Sequence, residues 1–311
     1  MYLSVVPRRI RRLGLSSIFT SVQKHFQSNA PRKHIKIDDE EKVLDDDHYS
    51  HYQSQRSPLF HMIKMILLIL VSLLLVAALL AYTIYKPPPF VINYLQGKYP
   101  DVLFQVDLPS PKRVVALTLD DAPSPQTGRI LDLLKTYEAK ATFFVIGGQI
   151  RGHTDLLQRM HDEGHEIGNH AWADEPSVKL PLTELERQIK EVESLIPGNS
   201  DGAKYFRPGS GFFNSKLVNM VKGLGYRVVL GGIYPHDPQI HNPRRNANHV
   251  LSMLNQKGKS WIGRIIIMHD RRSYSADQLE MVLKGLTQKG WKIESLGGLL
   301  AHAEKQETTH L

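Results

Sequence analysis

The sequence predicts an α/β fold behind a membrane-spanning helix, and three observations predict it. From Lys112 onward, short apolar runs rich in β-branched residues alternate with segments of helical spacing, as in βα units around a parallel sheet or barrel. Polar residues fall repeatedly at the ends of those runs, where parallel α/β architectures build their active sites. Residues 65–85 form an uncharged, Leu/Ile/Val-rich stretch of about the length that crosses a bilayer.

Residues 1–61 are polar, carry acidic runs at 38–41 and 45–47 and lack sustained periodicity, which predicts a disordered tail. Before Asp38 there is no acidic residue, and Arg8, Arg9, Arg11 and Arg12 form the one dense basic cluster. Positive flanks stay inside, so the tail is expected in the cytoplasm and the rest outside or in a lumen. The cluster is equally compatible with a lipid contact, a sorting signal or an Arg-rich presequence. The span is assigned to residues 62–86. Residues 87–111, opening on Pro87-Pro88-Pro89, are expected to be an extended juxtamembrane connector. The folded domain is assigned to residues 112–303 and a short tail to 304–311. Strands are expected at residues 114–119, 141–146, 166–168, 205–207, 227–230, 264–268 and 292–295, and helices at 127–137, 155–163, 183–195, 215–223 and 275–289. About 190 residues suffice for one core and leave no room for a second catalytic domain.

The 39 basic and 31 acidic side chains give a net charge of +8. This excess is spread between the tail and the folded part and does not mark a nucleic-acid binder. The chain has no cysteine, so a disulfide or thiolate–metal site is excluded and any metal must sit on His, Asp or Glu.

Two stretches carry the chemistry. Val114 to Leu119 runs straight into Asp120-Asp121, and Gly164-His165-Glu166-Ile167-Gly168-Asn169-His170 is followed by Asp174. Adjacent carboxylates repel, and a metal ion that takes one and leaves the other as a base separates their roles. Arg207 ends a later run, Asp237 lies beyond the next and His269-Asp270 follow the one after. Singly, an Asp pair is more often a cap, a histidine a buried structural group and an arginine half of an ion pair; their shared placement gives them weight. Trp172, Phe212, Phe213 and Trp261, read alone, are more often core or rim packing than part of a site.

Thr118 to Pro123, Ala141 to Gly147, Gly164 to His170, Phe206-Arg207-Pro208 and Ile265 to Asp270 resemble, in order, the motifs of the NodB-type polysaccharide deacetylases, carbohydrate esterase family 4. The resemblance covers about residues 112–303. It implies a distorted (β/α) barrel and metal-assisted removal of acetyl groups from N-acetylated sugars such as those of chitin or peptidoglycan. Carried over by position, Asp120 resembles the general base and Asp121, His170 and Asp174 the metal ligands. His269 resembles the general acid, Asp237 is the candidate that orients it, and Arg207 holds Asp120 in place. The backbone near Ser210 is placed for an oxyanion hole, and Trp172 and Phe212 are candidates for the substrate. The family implies zinc.

The chain departs from the family in three places. Where a second histidine is usual it has Asp174; two carboxylates partly cancel an ion's charge, which shifts the expectation toward harder metals such as manganese, or cobalt. Glu175 is a less well-placed substitute. Gly209-Ser210-Gly211 follow Arg207-Pro208 in place of bulkier residues, and the stretch Gly231 to Pro238 lacks the usual tryptophan and paired aspartates, which leaves His236 as a possible partner in the role of Asp237. The expected function is hydrolysis of the acetamide of N-acetylglucosamine units in chitin or chito-oligosaccharides by a membrane-anchored enzyme. Its rivals are a peptidoglycan deacetylase, a metal-independent hydrolase of other C–N bonds and a non-catalytic carbohydrate-binding protein.

Overall fold

The computed structural model describes residues 58–108, 113–198, 203–254 and 262–307. The tail expected at residues 1–61, apart from 58–61, and Trp261 lie outside the described residues. Helix α1 (Pro58–Tyr85) contains the apolar stretch and has no buried residue. Among the described residues it is the one helix long and apolar enough to cross a membrane. Two of its hydroxyls are satisfied within the helix, Ser72 Oγ donating to the Leu68 carbonyl at 2.8 Å and Thr83 Oγ1 to that of Leu79 at 2.9 Å.

The segment expected to be a bare connector is instead part of the fold. It forms helix α2 (Pro89–Lys98) and strands β1 (Val102–Leu103) and β2 (Gln105–Asp107). Proline at the first helical position lacks only a hydrogen that would be unpaired there anyway. Gln96 pins the helix to the strands: its amide donates to the Val102 carbonyl at 3.1 Å and its oxygen accepts from the Phe104 amide at 2.9 Å. Ile92, Val102 and Phe104 are buried in one cluster with Leu217, Val221 and Val228.

The remaining elements follow as β3 (Val114–Ala122), α3 (Thr127–Thr136), β4 (Ala141–Val145), α4 (Gly147–Ile150), α5 (Thr154–Asp162), β5 (Glu166–Asn169), α6 (Leu182–Glu193), β6 (Lys204–Phe206), α7 (Ser215–Gly223), β7 (Tyr226–Val229), α8 (Pro243–Leu254), β8 (Ile262–His269), α9 (Ser275–Thr287), β9 (Lys292–Glu294) and α10 (Leu296–Glu307). Every expected strand and helix is present. Helices α4, α8 and α10, like α2, were not expected, and α10 runs into the residues assigned to a tail. In α8 the buried face is Asn246, Ala247, His249, Val250 and Met253; two polar members hide its helical period from a hydrophobicity pattern.

The sheet order is β1-β7-β6-β5-β4-β3-β8-β2, with β9 paired to β3. All pairings are parallel except β2 with β8. Strand β9 uses Val114–Ala116 of β3, while β4 uses the stretch from Leu117 onward. One residue separates β1 from β2, which pair at opposite ends of this order. The stretch after β7 bonds to β8: the Gly232 and Ile233 amides donate to the Ile265 carbonyl, and the Ile267 amide to that of Ile233. The sheet is thereby curled into the distorted barrel expected from the resemblance. Strand β3 is buried throughout, as a central parallel strand covered on both faces must be.

Candidate active site

The C-terminal ends of the parallel strands converge, and they carry the chemistry. Successive residues of a regular strand point to opposite faces, so Asp120 and Asp121 reach one site only through a local irregularity. The β3–β4 register shifts between Asp120 and Ala122, and Asp121 has a φ of 63°, a bulge that re-aims its side chain. The same left-handed conformation recurs at Ala171, Ser210 and His236, each beside or within the site. Backbone strain gathers where side-chain direction matters most.

Asp120 and Arg207 form a buried ion pair, Arg207 Nη1 donating to Asp120 Oδ1 at 2.5 Å. The guanidinium is fixed on every side. It also donates to Thr118 Oγ1 at 2.7 Å, to the Val229 carbonyl at 3.3 Å and to the Leu230 carbonyl at 2.9 Å, and it lies 4.1 Å from the centre of the Phe144 ring. Burial lowers the Arg207 pKa, opposed by the charge of Asp120. Each partner is thus neutralised where neither has water.

Asp121, His170 and Asp174 offer ligand atoms that all lie within 4.8 Å of one another. His170 Nδ1 is 2.6 Å from the Arg207 carbonyl, which fixes Nδ1 as the protonated nitrogen and leaves the Nε2 lone pair 3.8 Å from Asp121 Oδ1. Both Asp121 oxygens are buried without a hydrogen-bond partner. Burial pushes the Asp121 pKa up, His170 and His269 pull it down, and Asp174 and Asp120 push it up again. A buried carboxylate whose oxygens make no hydrogen bond, an imidazole with its lone pair directed at it and a second carboxylate fit a divalent cation.

Asp237, buried in the loop after β7, grips His269 at two points: Oδ2 accepts from the His269 amide and Oδ1 lies against Nδ1, each at 2.9 Å. The Asp237 carbonyl accepts from the Tyr274 hydroxyl at 2.5 Å. Burial opposes a charged His269, but the hydrogen bond and charge of Asp237, with Asp120 and Asp121 behind, hold its pKa above the ordinary histidine value. A protonated imidazole held that way is a proton donor.

A cleft of about 650 Å³ joins these groups, lined by Asp120, His170, Asp174, Arg207 and His269 and, on one wall, by Val91, Ile92 and Leu95 of α2. Ser210 and Phe212 line it, and Phe212 is exposed. Trp172 does not line it as expected; it packs on the main core beside Gly147 and Val192, with Arg151 over its ring. Phe213 packs edge-on against Tyr99. Glu175 is held by the Gln188 amide at 3.2 Å. His236 turns away from the site: it stacks on Tyr85, and its Nε2 is 2.9 Å from the Tyr85 carbonyl. Two contributors escaped the sequence reading, Thr118, which steadies Arg207, and Arg271, whose Nε is 3.1 Å from Asp121 and whose Nη2 is 2.6 Å from Asp174. Thr118 opens the first of the quoted motifs but was given no role, and Arg271 directly follows the His269-Asp270 motif.

A family model described as polysaccharide deacetylase matches residues 107–229. The peptidoglycan-N-acetylmuramic acid deacetylase PdaC of Bacillus subtilis is 34% identical over 60% of this chain, which spans 39% of that relative. A peptidoglycan-N-acetylglucosamine deacetylase of Bacillus cereus is 30% identical over 63% of this chain and 92% of its own length. A chitin deacetylase of Pestalotiopsis sp is 29% identical over 60% and 64%. The structure of the Bacillus subtilis peptidoglycan deacetylase PdaC superposes with a TM-score of 0.57 at 32% identity, covering 64% of this chain and 96% of that one. Barrel, motif order and relatives agree: this chain belongs to the polysaccharide deacetylases of carbohydrate esterase family 4.

Proposed function

We propose that this chain hydrolyses the acetamide of N-acetylglucosamine units in a glycan of the chitin or peptidoglycan kind, assisted by a divalent cation on Asp121, His170 and Asp174. The observation that carries the reading is the placement of two opposite proton functions, an Arg207-paired Asp120 and an Asp237-gripped His269, around one cleft with that ligand set. Binding a sugar requires neither. A divalent cation supplies Lewis acidity toward a carbonyl oxygen and toward water. Asp120 takes a proton from water as the water oxygen bonds to the acetamide carbon. The carbon–nitrogen bond then breaks, and the departing amine takes its proton from His269, leaving acetate and a free amine. Ser210 lines the cleft, which supports its backbone N–H as the donor to the developing oxyanion. Family membership sets the reaction class. The peptidoglycan deacetylases and the chitin deacetylase among the relatives define the substrate pair to compare.

The basic cluster before α1 supports a single-pass arrangement with the tail in the cytoplasm and the barrel outside or in a lumen. The test of the reaction is acetate release from chito-oligosaccharides and from peptidoglycan by the detergent-solubilised full chain, before and after chelation and on return of zinc, manganese or cobalt. Asp120→Asn is expected to lose activity by roughly 10²- to 10⁴-fold while still binding the cation. Undiminished turnover by that variant removes the general-base assignment, and turnover that survives chelation removes the metal.

A further inference from the structure

Arg271 stands just past the end of β8, and its guanidinium reaches two of the three members of the ligand set. Nε lies 3.1 Å from Asp121 Oδ2 and Nη2 lies 2.6 Å from Asp174 Oδ2. The two carboxylates differ in setting. Asp121 is buried, its oxygens making no hydrogen bond, while the side chains of Asp174 and Arg271 are each about one-third exposed, at 33% and 34%. His170 brings a ring nitrogen and no carboxylate, so the set holds two acidic side chains at close range. A guanidinium between them offsets the charge of one.

We propose that Arg271 is the charge partner of the Asp121–His170–Asp174 set, a positioning residue that sets how tightly the set holds a divalent cation. This rests on the reading that these three residues bind such an ion. Arg271 and the ion are drawn to the same carboxylates, so the guanidinium must release at least part of its hold as the ion binds. Ion affinity is therefore lower than two carboxylates and an imidazole give unaided, and it depends on Arg271. Asp174 is the half of the pair that can move. It is partly exposed and makes a short bond to Arg271, whereas Asp121 is fixed in the β3 bulge. Arg271 thus answers the concern raised by two acidic ligands. With a guanidinium beside Asp174, the charge around the ion equals that of a set with a single carboxylate, and the ion keeps more of its Lewis acidity.

The test is a double-mutant cycle on cation affinity, measured by equilibrium dialysis of zinc and of manganese against the full chain in detergent. The proteins are wild type, Arg271→Gln, Asp174→His and the double variant. Asp174→His keeps a donor and removes its charge. Arg271→Gln is expected to tighten binding by roughly tenfold or more in the wild-type background. In the Asp174→His background, where one carboxylate is left to offset, the same substitution is expected to matter clearly less. Arg271→Lys, which keeps the charge and loses the fork, is expected to stay within a few-fold of wild type, and serves if the glutamine variant does not fold. Unchanged or weaker binding by Arg271→Gln overturns the proposal, as does an equal effect in both backgrounds or a lysine variant that binds as tightly as the glutamine one. Absence of binding by every variant and by wild type removes the metal reading itself, and this inference with it; binding that ignores Arg271 removes the inference alone.

Discussion

His269 shows how a single residue's function is made by its neighbours. The isolated imidazole titrates near 6.5, and burial alone would keep it neutral; Asp237 reverses that balance by accepting from Nδ1 and holding the backbone amide. The raised pKa keeps the proton donor charged past the pH at which an ordinary histidine has lost its proton, and its donor function is lost only as pH climbs through the folded-state value. Replacing Asp237 by Asn removes the charge and leaves burial in control. The alkaline limb of the kcat/KM profile is then expected to move to lower pH by about one unit or more, with kcat down roughly tenfold or more. A pH–rate profile of the two proteins checks both. Backbone matters equally at this scale. A Cβ on Gly209 would stand 2.0 Å from the Glu175 carbonyl oxygen, a contact that neither chain segment can relax without moving Pro208 or Ser177, which bonds the Gly209 amide at 2.8 Å. Gly209→Ala is expected to cost about 2–4 kcal/mol, read as a fall in the thermal unfolding midpoint.

At the scale of elements, the site is a property of strand ends. Asp120, Arg207 and His269 sit where parallel strands stop, Asp237 reaches them from the loop after β7, and the irregularities of φ at Asp121, Ala171 and His236 fall beside these strand ends. Those strands were legible because buried parallel strands are continuous apolar runs. Segment 87–111 was not, because six prolines and a two-residue and a three-residue strand give no periodicity to read. Yet α2 walls the cleft, and β1 and β2 cap the exposed edges of β7 and β8. A truncated protein beginning at Lys112 is therefore expected to aggregate or to purify without activity, whereas one beginning at Pro87 stays monomeric and active. Size-exclusion profiles and acetate release of the two truncations decide it.

For the whole molecule, the catalytic cleft and the apolar helix α1 are joined by a short link, Lys86–Pro88, and the residue closing α1 is already engaged with the barrel: Tyr85 contacts both His236 and His249. The cysteine-free sequence makes orientation directly measurable. In intact cells, a cysteine placed at exposed Lys216 is expected to react with a membrane-impermeant maleimide if the barrel is displayed at the cell surface, while one placed at Ser16 reacts after permeabilisation. The reverse pattern removes the proposed topology.

The sequence alone determined the βα alternation, the membrane-length helix, and the identities of Asp120, Asp121, His170, Arg207 and His269 as strand-end residues, because burial period and strand-end polarity are local properties written in order along the chain. Tertiary structure decided what was done with them. It holds Trp172 on the core and His236 on Tyr85, away from the cleft, sets Asp237 2.9 Å from His269 Nδ1, and brings Arg271 onto two carboxylates 97 and 150 positions away. Such pairings arise only when the barrel closes, since charge interaction depends on distance in space, and separation along the chain does not encode it.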